Sequence, residues 1–174
     1  ESAIFTPTLH GVQTPVRPPL ADAPRNSDEY KDFAKKLRHH YQRGLLGVLR
    51  SQEVKESLHR LVKVVERLEY ACTGTPIATL WWVAGGFIES IAENDVYKNA
   101  SVHALLGQID KYLKQLGDDG SFVLNQTVPP ELLKNLLYYV ACAQRETDRI
   151  KELQHAYDLR SSLPPRWGSW PAPP

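Results

Sequence analysis

The stretch Leu80-Trp81-Trp82-Val83-Ala84-Gly85-Gly86-Phe87-Ile88 decides the fold. It follows the breaker pair Thr75-Pro76, and apolar or small residues dominate about seventeen positions from Ile77 to Glu93. Strands rarely exceed about ten residues, so this length favours a helix. A helix that is apolar on every side is enclosed by other helices. We therefore predict the central helix of an all-α bundle, with Gly85-Gly86 allowing a neighbouring helix backbone to approach closely.

Amphipathic segments lie on both sides of this helix. Apolar residues recur every three or four positions in residues 30–48, 54–72, 102–116 and 132–141, and again near 150–157. We expect Ser27 as the first N-cap, Gly117 as the C-cap of the 102–116 helix, and Pro130 in the first turn of the next helix. Residues 144–146 either continue that helix or mark a kink. The pattern predicts an up-and-down bundle of five to six helices.

Proline-rich segments flank the bundle, which we place at residues 28–160. Residues 1–27 carry five prolines and no helical period, which is typical of an extended arm. We expect this arm to be anchored by Ile4, Phe5, Val12 and Val16. Residues 161–174 form a tail whose tryptophans, Trp167 and Trp170, either bind a partner or cover bundle surface. Because the sequence starts at Glu1 and contains no methionine, we expect a piece of a longer protein.

Composition narrows the classes of function. A net charge of +1 gives no general attraction to nucleic acid, and the basic face of the first helix is most simply a solvated face. No apolar run is long enough to predict a membrane span. Cys72 and Cys142 lie in apolar helical contexts without a basic cluster, which indicates inert thiols in a reducing, cytoplasmic compartment.

Two Glu-x-x-His pairs have the spacing that di-iron bundles use. They are Glu56 with His59 and Glu152 with His155. Metal ligands in such bundles face the interior, whereas about 100° of rotation per residue turns both pairs away from the apolar faces of their helices. We therefore expect solvated side chains, no metal and no cofactor. Motifs of nucleotide-binding proteins, zinc proteases and serine hydrolases are absent from the sequence, so no catalytic residue is predicted.

His59 has a second interpretation. Histidine phosphotransfer (HPt) domains present a phospho-acceptor histidine on a bundle helix within the pattern H-x-L-K-G. Here the run is His59-Arg60-Leu61-Val62-Lys63, so Val62 replaces the lysine and Lys63 replaces the glycine. The glycine leaves room beside the imidazole, and the missing lysine would have helped to hold phosphoryl oxygens. An exposed helix histidine is the simpler interpretation, and an active phospho-acceptor is the alternative.

Three runs carry a family resemblance: Leu80 to Glu89, Leu105 to Asp110, and Leu132 to Ala141. They resemble the amino-terminal HPt-like domain of the FimL-type pilus regulators, and also the start of ChpA-type chemosensory histidine kinases. The resemblance covers about residues 30–163 and leaves open which of the two parents applies. It implies a degenerate HPt-like bundle without enzymatic activity, which works as a scaffold.

The resemblance also implies a setting. FimL-type proteins belong to the chemosensory-type system that controls type IV pili, twitching motility and, in some members, cyclic AMP levels. The implied partners are signalling proteins of that system, including a polar scaffold protein, and the implied location is the cytoplasm at the cell pole. A homodimer formed through helix faces is a further alternative.

Overall fold

Six α-helices make up most of the described chain, residues 5–163 of a computed structural model. They are α1 (Ser27–Leu49), α2 (Val54–Ala71), α3 (Ala78–Glu93), α4 (Ala100–Asp119), α5 (Pro130–Cys142) and α6 (Asp148–Ala156). Short 3₁₀ segments follow α4 at Gly120–Asn125 and α6 at Arg160–Ser162. No β-strand occurs within residues 5–163, and the predicted all-α bundle is confirmed.

α3 is the centre of the bundle, as its sequence predicts. Every residue from Leu80 to Ile88 is buried, and α2, α5 and α6 pack against α3. The expectation that a helix backbone approaches Gly85-Gly86 is wrong. Side chains of α6 occupy the space beside these two glycines. A Cβ atom added at Gly86 would lie 2.0 Å from Cδ1 of Leu153, and one at Gly85 would lie 3.1 Å from Cδ of Arg149. The two glycines therefore make room for α6 to pack on α3.

α1 packs against both α2 and α4. α1 and α2 are antiparallel and joined by a tight turn in which Ser51 and Glu53 have positive φ angles of 53° and 46°. The two helices approach closely near this turn, since a Cβ atom at Gly47 would lie 2.0 Å from Oγ of Ser57. On the opposite side of α1, the buried Tyr41 hydroxyl donates a hydrogen bond of 2.7 Å to a carbonyl of α4.

Two predicted helix caps are corrected. Asn26, not Ser27, is the N-cap of α1, and its side chain accepts a hydrogen bond of 2.9 Å from the backbone N–H of Glu29. Asparagine caps at least as well as serine, and here it stands one residue earlier. α4 continues past Gly117 and ends before Gly120, whose φ of 62° lies in the left-handed region that glycine adopts without strain.

The end of the bundle is built by two short helices. Pro130 lies in the first turn of α5, as predicted. Residues 144–146 neither continue α5 nor kink it, because α5 ends at Cys142 and α6 begins as a separate helix. Thr147 is the N-cap of α6, and its Oγ1 accepts a hydrogen bond of 3.2 Å from the N–H of Ile150. The break between the helices lets α6 pack on α3.

The proline-rich arm lies on the bundle, but one of its expected anchors is wrong. Phe5 is 1% exposed and packs edge-on against Tyr138, with 5.7 Å between ring centroids. Val12 is partly buried against the core. Val16 is 81% exposed, because the chain turns the side chain of its neighbour Arg17 toward the bundle instead. The other residues expected to make contacts, Ile4, Trp167 and Trp170, lie outside the described residues.

Candidate functional site

His59 lies on the exposed side of α2, in a groove between α2 and α1. The groove has a volume of about 390 Å³. Its apolar floor is formed by Leu37 and Val64, and its polar lining is His40, Glu56, His59, Arg60, Lys63 and Arg67. The antiparallel packing of α1 on α2 therefore brings the sequence-predicted histidine into a basic environment.

The residues that follow His59 divide between the groove and the core. Lys63 stands one helical turn after His59 and lines the same groove. Val62 is partly buried and packs against the core. In the HPt pattern these two positions carry glycine and lysine, respectively. The groove beside His59 therefore contains a lysine side chain where the HPt pattern leaves open space.

Neither Glu-x-x-His pair faces the bundle interior. All four side chains are exposed: Glu56, His59, Glu152 and His155. Glu152 accepts a hydrogen bond of 2.8 Å from Nε1 of Trp82, which gives this carboxylate a structural contact. Across residues 5–163, no group of three or more His, Cys, Asp or Glu side chains is arranged to hold a metal ion.

A buried carboxylate that was not predicted from the sequence joins the arm to the bundle. The Glu69 side chain is 0% exposed and accepts hydrogen bonds from Nε of Arg17 at 2.5 Å and from Nη1 of Arg149 at 3.4 Å. Arg149 also donates to Glu89 of α3 at 2.7 Å. The sequence does carry a signal for this site: Glu69 lies four residues after Val65, and therefore on the apolar face of α2. A carboxylate in that position requires a cationic partner.

Burial and pairing act in opposite directions on these groups. Loss of hydration raises the pKa of Glu69 above its ordinary value of 4.5, and the hydrogen bond and charge of Arg17, with the charge of Arg149, offset part of that rise. Burial lowers the pKa of Arg17 and of Arg149, but their carboxylate partners together outweigh it and raise both pKa values. Such mutual neutralisation is typical of an ion-pair network that fixes structure.

Both cysteines are buried thiols. Burial raises the pKa of Cys72 to about 12 and that of Cys142 to about 11. The thiolate is the reactive form of cysteine, so both side chains are protonated and unreactive at neutral pH. Within residues 5–163, none of the helices combines the length and apolar character that crossing a membrane requires.

These features define a class: an all-α bundle that presents a histidine-containing groove on one side and holds an extended arm by a buried ion pair. The chain belongs to the FimL scaffold-protein family, because residues 26–167 match the family described as "FimL scaffold protein second domain". A curated relative is the scaffold protein FimL of Pseudomonas aeruginosa, which is 32% identical over 131 residues. This match covers 75% of the chain and 23% of the relative, so the chain corresponds to less than a quarter of that protein. No solved structure matches the chain.

The predicted family is confirmed, whereas the predicted position within the family is corrected. The resemblance implied the amino-terminal domain, but the matching family describes the second domain of FimL scaffold proteins. The helical pattern of a bundle carries no information about its order among neighbouring domains, so the sequence features above could not distinguish the two positions. The matched range begins at residue 26, which is the N-cap of α1.

Proposed function

We propose that this domain is a non-catalytic scaffold module of a chemosensory-type system that controls type IV pili, twitching motility and cyclic AMP levels. It would bind signalling proteins in the cytoplasm at the cell pole. The observation that carries the proposal is membership of the FimL scaffold-protein family over residues 26–167. A scaffold acts by holding partners together, and a rigid bundle offers its exposed helix faces for that task.

The surroundings of His59 support binding over phosphotransfer. Lys63 lines the groove beside the imidazole and would crowd the approach of a phosphorylated receiver domain. Val62 stands where the HPt pattern has a lysine and packs toward the core. This position therefore provides no ammonium group to hold a phosphoryl oxygen. Both substitutions remove features that the HPt pattern uses, which leaves His59 as an accessible surface side chain.

Phosphoryl transfer in vitro tests the proposal directly. The domain is mixed with a phosphorylated receiver domain, and acid-labile phosphohistidine is followed alongside a His59→Gln control. We expect no label on either protein, with both proteins folded and helical by circular dichroism. Label that appears on the unchanged domain and is lost in His59→Gln would replace the scaffold proposal with a phosphorelay.

A complementation experiment tests the cellular role. A strain that lacks the full-length protein is complemented with the unchanged gene or with the His59→Gln gene, and the twitching zone is measured. We expect both genes to restore twitching equally, because a scaffold does not need the imidazole. Unimpaired twitching in the deletion strain itself would contradict the assignment to pilus control.

A further inference from the structure

The groove beside His59 continues toward the turn between α1 and α2. A second hollow of about 310 Å³ shares Glu56 and Arg60 with the first. α1 and its C-cap residue border the two hollows from Leu37 to Arg50, a distance of about 20 Å at a rise of 1.5 Å per residue. We call this continuous surface the α1–α2 groove. Its length equals nearly four turns of a helix.

The α1–α2 groove is lined by arginines that have no carboxylate partner in the part of the chain that the structure describes. Five of the ten arginines within residues 5–163 form ion pairs: Arg17, Arg38, Arg67, Arg149 and Arg160. Of the five others, three line this groove: Arg43, Arg50 and Arg60. Lys63, in the same groove, likewise has no carboxylate within 4.0 Å in the described chain. An unpaired guanidinium keeps its planar set of donors available for an incoming carboxylate.

The charge of this surface is out of proportion to that of the chain. Four cations that form no ion pair within residues 5–163, Arg43, Arg50, Arg60 and Lys63, line the groove together with two carboxylates, Glu53 and Glu56. The whole chain has a net charge of only +1. A local excess of positive charge on an otherwise neutral molecule steers an acidic partner to that place and fixes its orientation.

Exposed apolar side chains lie at the end of the groove that is nearer to the α1–α2 turn. Leu46 is 44% exposed and lines the second hollow, and Leu49, in the last turn of α1, is 49% exposed. Only two other large hydrophobic side chains within residues 5–163 are this exposed, so half of them lie here. An amphipathic helix that binds in a groove supplies apolar anchors and a charged edge together.

We propose that the α1–α2 groove binds an acidic amphipathic helix of a partner protein. Carboxylates of that helix would bind Arg43, Arg50 and Arg60, and its apolar residues would contact Leu46 and Leu49. This inference rests on the proposed function, since it assumes that the domain acts by binding proteins. It adds the surface on which binding takes place and the chemistry of the partner.

A synthetic probe tests the chemistry of the groove. The probe is a fluorescent amphipathic helix about four turns long, with glutamate on one face and leucine on the other, and a second peptide carries glutamine in place of every glutamate. We expect the acidic peptide to bind by fluorescence anisotropy, to weaken as salt is added, and to bind at least about tenfold more tightly than the glutamine peptide. Equal binding of the two peptides, or no binding of the acidic one, would overturn the proposal.

Two triple variants locate the binding surface. The first carries Arg43→Glu, Arg50→Glu and Arg60→Glu. The matched control, Lys98→Glu, Lys111→Glu and Lys151→Glu, makes the same change in net charge at exposed positions outside the groove. Once circular dichroism shows that both are folded, we expect the first variant to lose at least about tenfold in affinity and the control to stay within about twofold. Equal losses would mean that general charge, not the groove, attracts the peptide.

The same variants in the full-length protein separate this inference from the proposed function. We expect the arginine variant to fail in restoring twitching to the deletion strain, and the lysine variant to restore it. If the arginine variant restores twitching fully, the groove is not the binding surface, although the scaffold proposal stands. If deletion of the protein leaves twitching intact, the proposed function itself is wrong.

Discussion

Replacement of Arg17 by alanine tests whether the arm is part of the folded domain. Arg17 donates its Nε–H to Glu69 at 2.5 Å, and the Glu69 side chain is 0% exposed. Without this contact, the described partner of the buried carboxylate is Arg149, at the longer distance of 3.4 Å. A second bond from Arg17, to the exposed Glu152 at 3.2 Å, contributes little because water screens it.

The expected cost follows from the burial of Glu69. Removal of one member of a buried ion pair costs about 3–5 kcal/mol, because an uncompensated charge stays behind. Here Arg149 stays in place and loss of the long side chain admits water, so we expect about 2–3 kcal/mol. In a domain of this size that corresponds to a fall in Tm of about 5–10 °C. Urea denaturation followed by circular dichroism measures the change in the free energy of unfolding.

The stability cost of Arg17→Ala should depend on pH, and the titration of Glu69 determines whether that cost rises or falls as the pH rises. Burial raises the pKa of Glu69 in the folded chain above 4.5, so the folded state holds a proton over a range in which the unfolded state has lost it. Stability from this group is therefore present below that range and is lost as the pH rises through it. Arg17 opposes the rise in pKa, so Arg17→Ala raises it further. We expect the variant to lose more stability at pH 7 than at pH 4.5.

Two further variants make the test specific. In the double variant Arg17→Ala with Glu69→Gln, a neutral glutamine replaces the buried carboxylate, so the loss of Arg17 leaves no buried charge without its partner. The dependence of the stability loss on pH should then disappear. Asp22→Asn breaks an ion pair of the arm that does not involve Arg17, the one with Arg67, in which the side chains are 63% and 42% exposed. This control should cost less than about 1 kcal/mol. An Arg17→Ala variant as stable as Asp22→Asn at pH 7 would refute the role assigned to Glu69.

Three further substitutions and one labelling experiment test the packing. Phe5→Ala removes a side chain that is 1% exposed, and we expect a loss of about 3 kcal/mol by urea denaturation, with faster proteolysis of the arm. Gly86→Ala places a Cβ 2.0 Å from Leu153, and this overlap should cost about 1–3 kcal/mol of stability. Gly85→Ala places a Cβ 3.1 Å from the flexible side chain of Arg149. The gain in helix propensity of about 1 kcal/mol should offset that contact, so the thermal midpoint of Gly85→Ala should change little. Because burial raises the pKa of Cys72 to about 12, a thiol reagent at pH 8 should label Cys72 only when urea unfolds the chain.

Side-chain periodicity predicts most of this fold because helix faces follow from local rules. The all-round apolar character of residues 80–88 predicts an enclosed helix, and α3 is enclosed. Helix ends are harder to place, because several neighbouring residues can satisfy the same donors. Asn26 and Ser27 are both good caps, and only the path of the chain decides between them.

The contacts of the arm could be predicted only in part. An extended chain without a regular partner gives no period from which to deduce its buried face. Phe5 is buried, as its apolar side chain predicts, but Val16 points to solvent and the polar Arg17 makes the contact. The partner, Glu69, stands out in the sequence as a carboxylate on an apolar helix face. Its pairing with Arg17 joins residues 52 positions apart, which helical periodicity does not reveal.

The arm forms an ion pair with a residue of the α1–α2 groove, and this bears on where a partner binds. Arg67 lines the groove near His59 and is also the residue that pairs with Asp22 of the arm. The arm therefore neutralises a cation at that end of the groove, while Arg43 and Arg50 at the other end stay unpaired in the described chain. Attraction for an acidic helix is consequently strongest near the α1–α2 turn. Asp22→Asn should extend that attraction along the groove and tighten binding of the acidic peptide, whereas the arginines at the turn should stay essential for it.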